Sequence, residues 1–253
     1  MDAIPFYFDC DALVGRPRTP IPHVEPGVED LLAEMRRLGI GRALVRHRAC
    51  SEVGPETGDE AVLEETAGRA ELVPMWMLTP DAFSCLGPPD AVVGHMLGRG
   101  VGAAWMSPTG QDYVLEPWCC GRVLEALQAR RVPLIVEWDS ATGRQLHEVL
   151  TAFPGLPLML LRSPRMGRNR TLYGLLELHE SLSVAVTPTY SVHRGVEDLC
   201  ERFGAGRLLF GSGYPEVEAG SAVCMLAYAE ISEGERQAIA GGNLERLLAA
   251  VQR

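Results

Sequence analysis

The chain contains no lysine, so each of its 23 basic residues is an arginine. Without lysine there is no Schiff-base aldolase chemistry, no pyridoxal-phosphate anchor, no carbamylated-lysine bridge between metals and no P-loop lysine. Any cationic group here binds or orients, because arginine keeps its charge and presents a planar fork suited to carboxylates and phosphates. Basic charge is also in deficit: 33 acidic residues outnumber 23 basic ones, for a net charge of −10. That balance argues against a nucleic-acid partner, which requires a basic stripe, and does not suit an anionic membrane surface. No apolar run approaches the roughly 20 residues that span a bilayer. A Cys-x-x-Cys pair is missing too. The seven cysteines (Cys10, Cys50, Cys85, Cys119, Cys120, Cys200 and Cys224) are scattered, and the first residues show no secretory pattern. Reduced thiols in a cytoplasmic protein are therefore expected. No Gly-x-Gly-x-x-Gly follows a strand, which argues against a dinucleotide site.

What is present is a regular alternation. With 47% hydrophobic residues over 253 positions, the chain can bury a sizeable core, and no linker divides it, so one domain over 1–253 is expected. Short apolar runs at 4–10, 42–47, 72–77, 101–106, 133–137, 158–161, 183–187 and 207–210 read as strands. Segments of helical period lie between and after them, near 28–38, 59–67, 91–97, 118–130, 143–152, 173–179, 192–203, 221–229, 233–240 and 243–251. Eight strand–helix units imply an α/β fold with a parallel sheet covered by helices. The count alone does not distinguish an open sheet from a closed barrel.

Four stretches and a closing helix carry a resemblance. They are the run from Phe8 through Asp9, Cys10 and Asp11 to Gly15, and the run from Pro133 to Glu137. Next come Phe153-Pro154 running on to Arg162, and Phe203-Gly204 running on to Gly211-Ser212-Gly213-Tyr214-Pro215. Gly242-Asn243-Leu244 opens the last helix. Together they resemble the amidohydrolase-related family, which implies a (β/α)8 TIM barrel and chemistry at the C-terminal ends of its strands. Where that family carries two histidines after the first strand, this chain has Asp11 and Leu13. Glu137 and Arg162 stand at two further histidine positions, and Gly213 at that of the catalytic aspartate. Leucine and glycine offer no ligand, so the family's zinc mechanism is not carried over, and no metal or cofactor is expected.

The resemblance brings Asp11, Glu137 and Arg162 together as the catalytic candidates. Arg46, His47, Arg48, Trp76, Trp138, His193 and Tyr214 are candidates for holding a substrate. Strand alternation places Asp9 with Asp11, and Glu137 with Asp139. His23, His95, His147 and His179 read as surface. Three arrangements stand open. Arg162 can be forked between Asp11 and Glu137 as a structural ion pair. Alternatively, Glu137 or Asp11 is a general base while arginines clamp a substrate carboxylate. The third is a hard cation such as Mg²⁺ on the carboxylates and a histidine. Two functions follow: a metal-independent hydrolase or lyase for a small carboxylated substrate, or a catalytically inactive ligand- or partner-binding barrel. A small molecule is the expected partner, with homo-oligomer formation open.

Overall fold

The computed structural model describes residues 6–19, 26–81, 87–163, 169–190 and 193–253. Its strands are β1 (Tyr7–Val14), β2 (Ile40–His47), β3 (Leu72–Met77), β4 (Ala103–Met106), β5 (Leu134–Glu137), β6 (Leu158–Leu161), β7 (Leu182–Val186) and β8 (Leu208–Phe210). They pair in sequence order as one eight-stranded sheet, every neighbour parallel. Helices intervene between successive strands, as parallel pairing demands. The sheet curls into a nearly closed (β/α)8 TIM barrel. At the seam, Ala12 bridges Tyr214 and the Leu13 N–H donates to the Tyr214 carbonyl at 2.9 Å.

Inward-facing side chains plug the barrel, among them Phe8, Leu44, Met75, Ala103, Trp105, Ile135, Met159, Ala185 and Leu209, all buried. The alternate residues of the same strands, such as Val45, Ala104, Val136, Leu160 and Val184, join the helices in the outer core. Leu31, Leu32 and Met35 form the buried stripe of helix Val28–Leu38, which ends at Gly39 in the left-handed conformation (φ 72°) that glycine adopts without strain. The closing segment is pinned by Asn243, whose side-chain amide donates to the Ala205 and Leu208 carbonyls at 2.7 and 2.8 Å. Beside it, a Cβ on Gly241 would stand 2.7 Å from the Phe6 carbonyl oxygen, so the backbone approaches closely there.

Two boundaries differ by four residues from the sequence expectation. The first strand runs on to Val14 instead of stopping at residue 10, because Asp9 and Asp11 find partners that let them stay wholly buried. Its predicted start at residue 4 lies outside the described residues. The helix expected from residue 59 begins at Pro55, a residue suited to a first helical turn.

Candidate functional site

Arg46 follows Leu44 on the inward face of β2 and is 2% exposed. Its Nη1 donates to Glu137 Oε1 on β5 and its Nη2 to Asp11 Oδ1 on β1, both at 2.6 Å. The guanidinium carbon lies 5.2 Å from the ring centre of Trp105, which floors the site. Burial alone would lower the Arg46 pKa, but the Glu137 and Asp11 carboxylates overcome this and raise it.

A second arginine stands further out. Arg162 follows the last residue of β6 with φ 54°, and its side chain is 25% exposed. Its Nε lies 3.4 Å from Glu137 Oε1 and 3.8 Å from Asp11 Oδ2, while Nη1 meets Glu216 Oε2 at 2.5 Å. The other oxygen of Glu216 accepts from Arg48 Nη2 at 3.2 Å. Burial opposes ionisation of Glu137, yet Arg46 and Arg162 hold its pKa below the ordinary range. Arg162 and Arg48 do the same for Glu216. Three carboxylates and three guanidiniums thus alternate from the barrel interior to the rim. Asp11 Oδ2 and Arg46 Nε are buried there without a hydrogen-bond partner among the described residues.

Arg46, not Arg162, is therefore the residue forked between Asp11 and Glu137. The register explains this: Arg46 lies opposite Leu13 on adjacent strands, whereas the left-handed turn at Arg162 points that side chain toward the rim. Asp9 and Asp11 are not equivalent either, because a register shift between Asp9 and Ala12 breaks the two-residue alternation. Asp9 accepts from Ser212 N at 2.8 Å, from Ser212 Oγ at 2.5 Å and from Asp11 N at 2.9 Å. It stitches β1 to the end of β8, and burial raises its pKa to about 6 despite the Ser212 and Asp11 hydrogen bonds. Asp139 is exposed on a turn beyond β5, away from the inward-facing Glu137.

Of the substrate-holding candidates, Arg46 and Arg48 join this site and the others stand apart. His47 points outward, its Nδ1 accepting from Ala49 N at 3.1 Å and its Nε2 lying 3.5 Å from Glu65. Trp76 packs on His95 with ring centres 5.7 Å apart, and Trp138 packs against the outer core. Tyr214 lies near Asp30 and Glu34, and burial followed by these charges raises its pKa to about 12. His193 is exposed on the turn before helix Gly195–Phe203. His179 is buried instead of surface-borne, sharing a hydrogen bond with His147 at 2.9 Å. His95 is exposed, and His23 lies outside the described residues. Glu216 escaped the sequence reading because it sits in a loop beyond the Gly-Ser-Gly-Tyr-Pro run. Three arginines converging on only two expected acids were the signal that a third carboxylate was needed.

No known family profile matches the sequence, and no curated protein sequence matches it. Solved structures do. The 2,6-dihydroxybenzoate decarboxylase from Rhizobium superposes with a TM-score of 0.74 at 14% identity, covering 97% of this chain and 99% of that one. The 5-carboxyvanillate decarboxylase from Novosphingobium aromaticivorans, solved with manganese, gives 0.76 at 10% identity and 97% of each chain. A probable 2-pyrone-4,6-dicarboxylic acid hydrolase from Acinetobacter baumannii, with citric acid bound, gives 0.71 at 12% identity, covering 96% and 99%. At such identities the likeness shows the fold alone, a (β/α)8 barrel.

The Novosphingobium structure holds manganese. Among the described residues, no group of three or more His, Cys, Asp or Glu side chains converges as a metal cage. The two carboxylates that face one another are both bonded to Arg46, with Arg162 beside them. At Gly213 (φ 72°) a Cβ would lie 4.0 Å from Asp11 Oδ2, so that position does face the site, but it contributes no side chain.

Proposed function

We propose that the chain binds a small organic acid at the barrel mouth and acts on it as a hydrolase or lyase without a metal. The ligand's carboxylate would be received by Arg162 and Arg48 where Glu216 now sits. One observation carries this reading: a carboxylate from a partly exposed loop residue is already gripped there by two arginines from different strand ends. The names of the neighbouring structures, which specify carboxylated aromatic acids and a dicarboxylic acid, support the substrate class.

Charge-assisted pairs of this kind stabilise a carboxylate that persists through the reaction. They suit a carboxylate that anchors the substrate better than one about to leave as carbon dioxide, so bond cleavage belongs elsewhere on the ligand. Glu137 is the inner carboxylate with access to the mouth, its side chain 28% exposed, and is assigned as the base. The Arg162 Nε, 3.4 Å from it, is assigned to stabilise developing negative charge. A second reading, binding without turnover, is favoured by the commitment of Glu137 to Arg46 at 2.6 Å and by its depressed pKa. Both make it a weak base near neutral pH.

Calorimetry with benzoate, 2,6-dihydroxybenzoate and citrate, paired with assays on lactones, amides and aromatic acids, separates these readings. Arg162→Met is expected to weaken acid binding by about 10- to 100-fold, the worth of a lost charge-assisted hydrogen bond. If none of the acids binds, the proposal fails. Turnover abolished by Glu137→Gln supports the hydrolase or lyase; binding with no turnover across the panel leaves the second reading.

A further inference from the structure

A separate cavity of about 320 Å³ opens between the segment following β2 and the end of β3. Trp76, Met77 and Leu78 form apolar wall, and Asp59, Glu56 and Asp81 supply carboxyl groups. Among the described residues lining it there is no arginine or histidine, whereas Asp11 and Glu137 at the mouth are each met by a guanidinium.

Asp59 is the unusual member. It is only 8% exposed, in helix Pro55–Thr66. One oxygen, Oδ1, takes both the Met77 N–H at 2.8 Å and the Cys50 thiol at 3.4 Å. The other, Oδ2, receives no hydrogen bond among the described residues, although the side chain lines the cavity. No cation stands beside this carboxyl among the described residues, whereas buried carboxylates are normally paired with one. Burial accordingly pushes its pKa up to about 8, with Glu60 adding to the effect and the Met77 and Cys50 hydrogen bonds offsetting only part of it.

We propose that this cavity is a binding site for a small organic cation, a primary ammonium on an apolar body. The ammonium would meet Asp59 Oδ2, with Glu56 and Asp81 lending negative potential, while the apolar body lies along Trp76, Met77 and Leu78. Its volume falls at the lower end of small-molecule sites, which suits a single-ring amine. The site is independent of the acid-binding mouth and stands if that assignment fails.

The test uses benzylamine as probe, with benzyl alcohol and benzoate as neutral and anionic counterparts, titrated into the full chain at about pH 8.5, where Asp59 is largely ionised and the amine still carries its proton. Calorimetry is combined with the Trp76 indole resonance as a reporter of position. Benzylamine is expected to bind at least about tenfold more tightly than benzyl alcohol, as one charge-assisted hydrogen bond would give, and to shift that resonance. Asp59→Asn should remove the preference for the amine. Should that variant fail to fold, the Glu56→Gln/Asp81→Asn double variant, altered only at exposed positions, should weaken benzylamine about threefold and leave benzyl alcohol unchanged. Equal binding of amine and alcohol, or an amine that leaves the Trp76 resonance unmoved, would overturn the proposal.

Discussion

Glu137 and Asp59 are both acidic side chains drawn into the upper part of one barrel, and their surroundings push them in opposite directions. At Glu137, two guanidiniums outweigh the burial penalty and hold the group ionised. At Asp59 the penalty stands with no cation to offset it, and the pKa climbs to about 8. Burial alone does not decide the charge of a carboxyl group; the partner does. The mouth therefore behaves as a fixed charge lattice, while the cavity beside β3 holds a group that can change its protonation near neutral pH.

The largest expected effect comes from making the first region resemble the second. Arg46→Met would leave Asp11 and Glu137 facing each other with Arg162 as their nearest cation. Removing one partner of a buried ion pair costs about 3–5 kcal/mol, because the remaining charge is stranded. Urea denaturation at pH 7 should show a loss of that order. The deficit should shrink toward acid pH, where the stranded carboxylates take up protons. A loss below about 1 kcal/mol, typical of exposed pairs, would show that the lattice does not hold the site together.

Asp59→Asn addresses the second region and a smaller effect. The Asp59 pKa rises from 3.8 to about 8 on folding, so between those values the folded state holds a proton the unfolded chain has released. Stability from this group is fully present below pH 3.8 and is lost as pH rises through about 8. Asp9, raised to about 6, adds a decline in the same direction over a narrower window. Denaturation midpoints of the wild type should therefore fall between pH 5 and pH 8, and Asp59→Asn should flatten that fall, leaving what Asp9 contributes and the opposing rise from His179, whose pKa burial lowers. An unchanged slope would mean that Asp59 is not a buried acid of raised pKa.

Much of the barrel was legible before the structure, because strand and helix periods are local properties of the chain. All eight apolar runs overlap the observed strands, and Asp11, Glu137 and Arg162 lie within one network. What was not legible depends on register. A single shift between Asp9 and Ala12 sends the two aspartates to different partners, and the backbone turn at Arg162 hands the fork to Arg46. Alternation also misled at β2 and β3. His47 ends β2 and Trp76 is the last residue but one of β3, as a pocket residue would be, yet each is one position out of phase with the inward face held by Arg46, Met75 and Met77. Glu216 and Asp59 could not be found by periodicity, since a loop and a helix start bring them to the rim.

The smallest expected change in stability, and the sharpest test of the mouth, is Glu216→Gln. Its side chain is 31% exposed, so its pairing with Arg48 and Arg162 should contribute less than about 1 kcal/mol to folding. Its effect on binding should be larger. With Glu216 neutral, three guanidiniums face two carboxylates, and an incoming acid no longer competes with a tethered one. Benzoate affinity measured by calorimetry should rise about three- to tenfold, and the gain should diminish in high salt as screening weakens the exposed charges. Unchanged benzoate affinity in a folded Glu216→Gln variant would mean that the ligand does not take the place of this side chain. The arginine pair would then be a latch for the loop after β8 and not a seat for a substrate.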